Sequence, residues 1–243
     1  MKVYAIGDLH LSFKDYVIPG KWEEVEEYKS MEIFGENWHQ HYKKIYDNWL
    51  KLVKSDDIVL IPGDISWATT IKEMEADIDF IKKLPGKKIF VKGNHDYWWQ
   101  GITTLREALP DDFYLIQNDS LSFGKLAIAG SRGWSAPNTY QYDERDQKIF
   151  DRELIRLELS LKTIKEAEKI IVMMHYMPVN EQHQDNELIA LLKKYNVDIC
   201  IYGHLHDSES HQNRLKGENW GIDFKLVSSD FINFKPELIL SDC

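Results

Sequence analysis

The chain reads as an α/β protein, and three observations say so. Apolar runs of strand length recur at Val3–Ile6, Asp57–Ile61, Ile89–Val91, Lys169–Met174 and Val197–Tyr202. Segments with helical apolar spacing lie between most of them, the interleaving that βαβ units and a largely parallel sheet require. Each run also ends in side chains capable of chemistry, and in α/β folds the C-terminal ends of strands are where ligands bind.

Taken in order, Val3–Ile6 stops at Gly7 and delivers Asp8-Leu9-His10. On an extended backbone, residues i and i+2 point the same way, so Asp8 and His10 are expected on one face with Leu9 in the core. Lys21–Glu32 reads as a short acidic helix, and Glu36–Lys54 as a stronger one. In the second, Trp38, Tyr42, Ile45, Trp49 and Val53 recur at helical spacing and read as core packing. His39 and His41 point different ways on such a helix and read as surface residues. Asp57–Ile61 leads through Pro62-Gly63 to Asp64, and a helix is expected over Ile71–Lys83.

Ile89–Val91 then delivers Gly93-Asn94-His95-Asp96, with Gly93 ending the strand in a sharp turn. Tyr97–Leu109 is expected to be helical. Leu121–Phe123 and Leu126–Ala129 flank Gly124-Lys125 as a hairpin, and Asp146–Glu168 carries a long amphipathic stripe. Lys169–Met174 ends in His175. A helix is expected over Asn186–Tyr195, and Val197–Tyr202 ends in Gly203-His204-Leu205-His206, again with two imidazoles on one side. Ile222–Val227 and Glu237–Leu240 close the chain as strands.

The bulk properties narrow the partners. The 243 residues suffice for one domain over 1–243, with a helical insertion at about 12–54. A formal charge of −10 argues against a duplex nucleic-acid surface, which needs clustered Lys and Arg. It leaves room for a small anionic substrate, since a bound cation reverses the local field. The two cysteines, Cys200 and Cys243, suggest no disulfide framework, and Cys200 reads as a small core residue. The start of the chain runs straight into a strand, and no apolar run is long enough to span a bilayer. The expectation is a cytoplasmic protein with no membrane partner.

Asp8, His10, Asp64, Asn94, His175, His204 and His206 therefore stand at five strand ends that a parallel arrangement brings to one edge. These oxygen and nitrogen donors suit Mn, Fe, Zn or Co. Seven are too many for one tetrahedral ion, but they fit two ions sharing a carboxylate. Two divalent cations against two carboxylates and a hydroxide leave a site near +1 that attracts phosphate. Two such ions roughly 3.5–4 Å apart generate a hydroxide at neutral pH and clamp an in-line displacement.

The set Asp8-x-His10, Gly63-Asp64, Gly93-Asn94-His95-Asp96, His175 and Gly203-His204-x-His206 resembles the calcineurin-like metallophosphoesterase superfamily, in the family's order from residue 8 to 206. The resemblance implies a four-layer α/β/β/α sandwich, two mixed sheets flanked by helices, with the site at one edge of the sheets. It implies that Asp8, His10 and His206 hold one metal, Asn94, His175 and His204 a second, and that Asp64 bridges them, with Mn or Fe favoured. It further implies that His95 contacts the phosphate, beside Asn94, and protonates the leaving oxygen. Asp96, next in the chain, is the candidate to orient the His95 imidazole.

The departures bear on substrate. Many relatives carry Asp three residues after the bridging Asp, where this chain has Trp67; protein Ser/Thr phosphatases carry Glu where it has Asp96. Both argue against a protein phosphatase. Trp67 reads either as part of an aromatic rim for a base or as packing, and Arg132 as an extra phosphate contact or a surface ion pair. The expectation is a dinuclear phosphoester hydrolase with a metal-bound hydroxide as nucleophile, acting on a small phosphodiester or nucleotide. The alternatives are a phosphomonoesterase and a non-catalytic scaffold.

Overall fold

The structure is a computed structural model and describes residues 1–241; Cys243 lies outside the described residues. The elements run β1 (Val3–Ala5), α1 (His41–Leu52), β2 (Ile58–Pro62), α2 (Glu75–Lys82), β3 (Lys87–Val91), α3 (Ile102–Ala108), β4 (Phe113–Leu115), β5 (Ser120–Phe123) and β6 (Leu126–Ser131). They continue with α4 (Glu144–Lys162), β7 (Lys169–Met174), α5 (Glu187–Lys194), β8 (Ile199–Tyr202), α6 (Ser208–Gln212), β9 (Gly217–Asn219), β10 (Ile222–Leu226) and β11 (Glu237–Leu240).

Two sheets form, ordered β11-β1-β2-β3-β4 and β5-β6-β7-β8-β10-β9. Their interiors are parallel, and antiparallel pairs close the edges at β11–β1, β5–β6 and β9–β10. The strand period of two sorts side chains into layers. Val3, Ala5, Ile58, Leu60, Ile89 and Val91 meet Ile128, Ile171, Met173 and Ile201 between the sheets. Tyr4, Ile6, Val59, Ile61 and Phe90 point outward onto Tyr42, Ile45 and Trp49 of α1 and Phe80 and Ile81 of α2. Ala129, Val172, Met174, Cys200 and Tyr202 point outward onto Phe150, Leu157 and Leu161 of α4 and Leu188 and Ile189 of α5. The result is helix, sheet, sheet, helix. Strands buried on both faces read as continuous apolar runs, which is why they stand out in the sequence.

The helices begin and end where caps dictate. Asp143 caps α4 by accepting from the Arg145 and Asp146 amides, while the Asp146 carboxylate accepts from the Asp143 amide, so the helix starts two residues before the expected Asp146. Asn186 caps α5 by accepting from the Leu188 and Ile189 amides, without the reciprocal bond. The helix expected to open at Tyr97 starts at Ile102 instead, because Trp98 and Trp99 are buried, their indole N–H groups on Asp96 and Gln117.

The acidic helix expected over 21–32 does not form. Phe13 bridges Glu27, with Lys14 N–H donating to Glu26 O and Tyr28 N–H to Ser12 O, so extended pairing takes those amides. Two 3-10 turns, Trp22–Glu24 and Met31–Phe34, flank the paired stretch. His39 is exposed, but His41 is buried, against expectation: it opens α1 and its Nε2 donates to Leu9 O at 3.0 Å.

Asp77 of α2 ties this segment down. Its buried carboxyl accepts from Phe13 N–H at 2.9 Å and shares a short hydrogen bond with the Ser66 hydroxyl. Burial pushes its pKa from the ordinary 3.8 up to about 7. The folded state thus holds this proton where the unfolded chain has lost it. Asp77 contributes its full stability below about pH 4, and loses it as pH rises through 7. Asp77→Asn keeps an acceptor and a donor there without the charge. The variant's unfolding free energy, minus that of wild type, should rise by about 2–4 kcal/mol between pH 4 and 8; parallel denaturation curves across that range would show that Asp77 is ionised throughout.

Candidate metal centre

Parallel strands deliver their C-terminal ends together, and here two sheets do so side by side. The loops after β1, β2 and β3 carry Asp8, His10, Asp64 and Asn94; the ends of β7 and β8 carry His175, His204 and His206. Backbone bonds lock the loops to one another: Asp8 N–H to Gly63 O and His10 N–H to Asp64 O, both at 3.0 Å. His204 N–H crosses between sheets to the Asp8 carboxylate at 3.0 Å.

The donors do not converge by strand alternation, as the sequence suggests. β1 and β8 have already ended, and Asp8, His10, Asp64 and His204 adopt left-handed backbone with φ of 56°, 46°, 50° and 74°. Such residues cost on the order of 1–3 kcal/mol each and persist where their surroundings hold them. Leu9 is nevertheless buried as the alternation implied. Gly93 also differs from expectation. Its φ is not left-handed; it is required for space, since a Cβ there would overlap the amide and carboxylate of Asp64.

Two groups of donors result. Asp8, His10 and His206 offer ligand atoms within 4.8 Å of one another, and so do Asp64, His175 and His204. In the first, His10 Nε2 lies 3.2 Å from His206 Nε2, which is 3.5 Å from Asp8 Oδ1. In the second, His175 Nε2 lies 2.6 Å from Asn94 Oδ1, 3.1 Å from His204 Nδ1 and 3.4 Å from Asp64 Oδ2. His175 Nδ1 donates to Pro62 O at 3.1 Å, and His206 Nδ1 to Asp230 Oδ1 at 2.9 Å. Each ring therefore turns its Nε2 lone pair on the cluster.

Those lone pairs face other acceptors, an arrangement that a cation satisfies. The electrostatics agree. Burial, then the charges of Asp96 and Asp8, pushes Asp64 up to about 9. Burial, then the His204 charge, pushes His175 down to about 3, and burial pushes His204 down to about 4. Burial opposes ionisation of Asp8, but the hydrogen bond and charge of His206 hold it below the usual carboxylate range. In the first group burial is outweighed by the hydrogen bonds and charges of Asp230 and Asp8, which push His206 up to about 10, whereas neutral His175 and His204 beside a carboxyl that resists ionising make the second group electron-rich. A divalent cation with oxygen and nitrogen preferences fits it. Cys200, the free cysteine of the described residues, is buried in the outer core and supplies no thiolate here.

A family model described as calcineurin-like phosphoesterase matches residues 1–208, which include every one of these donors. The chain belongs to the calcineurin-like phosphoesterases. A Coxiella burnetii protein described as a probable cyclic nucleotide phosphodiesterase is 22% identical over 167 residues, covering 65% of this chain. The chain spans 63% of the length of that curated relative. A crystal structure of a protein of unknown function from Aquifex aeolicus aligns over 98% of this chain and 95% of that one, with 20% identity and a TM-score of 0.49.

In this member of the calcineurin-like phosphoesterases the remaining expected residues divide. His95 is at the cluster, half-buried, with its ring centroid 5.9 Å from that of His10 and its N–H on Asp64 Oδ1 at 2.8 Å. Asp96 does not orient His95. Its carboxylate accepts from the amides of Asp64, Gly93, Ile65 and Ser66 and from the Trp98 indole, while the buried His95 Nδ1 has no partner. Consecutive residues in the turn point apart, and the amides reach Asp96 first.

Trp67 stacks on His10 at 5.0 Å and lies 4.2 Å from the His95 ring, with Lys29 Nζ 3.0 Å above its centroid. His10 stacks on the ring and Lys29 stands over it, so it supports the two imidazoles while still lining the cavity beside His95. Arg132 turns away from the cluster toward Glu153 and packs on Trp134, and therefore does not extend the phosphate site. His183 donates to Asn213 O.

Three contributors escape sequence reading. Asp230, in the turn after β10, has no spacing signal linking it to His206. Tyr176 covers the His204 ring at 4.2 Å, and Trp38 packs edge-on against His10 and His206.

If the acceptors hold divalent ions, chelation should lower Tm by about 5–10 °C at hundredfold saturation, from a linkage of about 2.7 kcal/mol. Calorimetry with and without Mn checks this, and an unchanged Tm would speak against metal at the strained turns. Asp230→Ala frees the His206 ring and should weaken metal affinity about 10–100-fold by titration, with the fold intact.

Proposed function

We propose that the chain hydrolyses phosphodiesters with two divalent ions, Mn or Fe ahead of Zn and Co. Asp8, His10 and His206 would hold one, Asn94, His175 and His204 the other, and Asp64 would bridge them. Such ions, when bound, supply charge neutralisation at the phosphate and a water acidic enough to ionise near neutral pH. The family membership supports this chemistry. The description of the Coxiella burnetii relative supports the diester class, cyclic nucleotides among its candidates.

The observation that carries the substrate reading is a pair of cavities that reach the cluster at different members. One of about 590 Å³ is lined by His95, Trp67, Lys29, Tyr28, Tyr97 and Phe13. The other, of about 550 Å³, is lined by His204, Tyr176, Asn180, Met177, Thr139 and Asp207. A diester carries two organic groups and a monoester one. The cavity at His95 suits the leaving group, because the acid must stand beside the oxygen that departs. The cavity at His204 suits the group that stays.

His95 fits the acid's role. Burial, then the charge of Lys29, holds its pKa below the ordinary value, so it releases a proton readily. A phosphate anion seated beside it favours the protonated, donating form. Its backbone bond to Asp64 fixes it to the residue proposed to bridge the ions.

The competing readings lose their observations. A monoester dianion would want an extra cation such as Arg132, which lines a different cavity. A scaffold would be expected to have lost part of the donor set or His95, which this chain retains, and an exposed aromatic stripe on α1 would favour it, but Tyr42, Ile45 and Trp49 are buried.

The test is hydrolysis by Mn-loaded protein of bis-para-nitrophenyl phosphate against para-nitrophenyl phosphate, with a dialkyl phosphodiester added, from which only an alkoxide can depart. The diester should be preferred. His95→Ala should lower kcat about 10²–10⁴-fold when the alkoxide departs. Nitrophenolate leaves without a proton and should suffer much less. Preference for the monoester would sink the diester reading, and equal losses on both leaving groups would sink the acid role.

A further inference from the structure

Tyr28 and Tyr97 are 70% and 57% exposed, yet both line the cavity that holds His95. They come from segments far apart in the chain: Tyr28 from the stretch before α1, Tyr97 from the turn after β3. Scattered surface tyrosines need no explanation. These two share a cavity of about 590 Å³ with Trp67, Phe13 and His95. Their backbones are fixed. Tyr28 N–H donates to Ser12 O at 2.8 Å, and the Ser12 hydroxyl holds the next residue by donating to Lys29 O at 2.7 Å. Tyr97 N–H donates to His95 O at 2.8 Å, and its ring stands edge-on to the His95 ring, with 6.2 Å between centroids. Each tyrosine has only two side-chain torsions left to settle when a ligand packs on it.

The lining narrows what packs there. The rings of Phe13, Tyr28, Trp67 and Tyr97 suit a planar group, and nucleobases stack on aromatic side chains whatever their sequence. A plain hydrocarbon needs no polar partner, but the cavity also carries Lys29 and Glu73. Glu73 Oε2 accepts from the Thr69 amide and hydroxyl, which leaves Oε1 as an acceptor, and Lys29 has an ammonium to donate. A heterocyclic base presents donors and acceptors at its edge and answers both. A few polar groups on an aromatic lining are the usual composition of a small-molecule site.

The second cavity decides whether the diester is cyclic. It adjoins His204, measures about 550 Å³ and shares no lining residue with the first. Each is large enough for a ligand of its own. In a cyclic nucleotide both ester oxygens belong to one sugar, so a single nucleoside would fill one cavity and leave the other empty. A linear diester places a separate group in each. Resting on the diesterase reading above, we propose that the substrate is a linear phosphodiester whose leaving group is a nucleoside, bound in the His95 cavity against Tyr28 and Tyr97. Hydrolysis breaks the bond from phosphorus to the nucleoside oxygen. Water gives its hydroxyl to phosphorus, and the departing oxygen takes a proton through His95, so the products are a nucleoside and a phosphate monoester. Tyr28 gives the irregular stretch before α1 a part in choosing the substrate.

Two measurements on the full chain test this. The first compares kcat/KM of Mn-loaded protein on the linear dinucleotide d(ApA), cyclic deoxyadenosine monophosphate and a dialkyl phosphodiester. The linear dinucleotide should lead the cyclic nucleotide by at least about tenfold. Tyr28→Ala and Tyr97→Ala should each cost d(ApA) about tenfold more than they cost the dialkyl diester, the loss of one stacked base contact. Tyr28→Phe and Tyr97→Phe should keep most of the preference. Both side chains are exposed, so none of these changes opens the core. The second measurement is saturation-transfer NMR of deoxyadenosine with metal-free protein. The base protons should receive magnetisation, and the Tyr28→Ala, Tyr97→Ala double variant should abolish the transfer. Equal or faster turnover of the cyclic nucleotide, equal losses on d(ApA) and the dialkyl diester, or transfer unmoved by the double variant would each overturn the inference. Base contact by NMR without turnover of any diester would overturn the diesterase reading, and the leaving-group assignment with it, while the nucleoside site stands.

Discussion

The edge of the two sheets depends on the Asp96 carboxylate. Five N–H groups converge on it: Asp64 and Gly93 on one oxygen, Ile65, Ser66 and the Trp98 indole on the other. Hydrogen bonds to a buried charge are the ones most costly to lose, at about 1.5–3 kcal/mol each. They fasten the loop after β2 to the loop after β3, and so set where Asp64 and Asn94 stand. They also impose a conflict. Asp96 keeps a carboxylate beside Asp64, and its charge follows burial among the causes that push Asp64 up. The constraint that builds the site leaves it short of positive charge.

The left-handed turns belong to the same balance. Asp8, His10, Asp64 and His204 hold strained backbone because amide bonds between the loops and close packing at Gly93 and Gly203 leave no relaxed path. A Cβ on Gly203 would strike the Asp8 carboxylate, as one on Gly93 would strike Asp64. Each of these glycines thus lets a donor loop approach its neighbour closely. Strain and like charge accumulate at one place, and ligands that bind there offset both.

Much of this was legible in the sequence, for physical reasons. β1, β2, β3, β7 and β8 are buried on both faces and so read as continuous apolar runs. The donors follow those runs directly, so recognising the strands located the donors. What stayed hidden depends on direction in space. Adjacency suggested that Asp96 serves His95, but the turn points the two apart. Alternation suggested an extended Asp8-Leu9-His10, but no residue type there announces a left-handed backbone. His41 was read as surface because helical spacing does not reveal that Leu9 O lies across from it. Asp230 reaches His206 from a turn 24 residues away, and no local pattern encodes such a pairing.

The placement of the cations then explains why this site calls for metal. Arg132 has its backbone at the cluster, since its carbonyl accepts from His175 and Tyr176. Its guanidinium could have met a phosphate, but it lies against Glu153 and the Trp134 ring instead. Lys29 stands over Trp67, one ring removed from His10 and His95. Neither cation enters the donor set. The pocket is left with carboxylates, an amide, imidazoles that burial holds neutral at His175 and His204, and a His206 whose charge is already spent on Asp230 and Asp8. An acidic chain that keeps its arginine and lysine out of the cluster requires the missing charge to arrive as ions. On the proposed function, with that charge supplied from outside, His95 would act on protons alone.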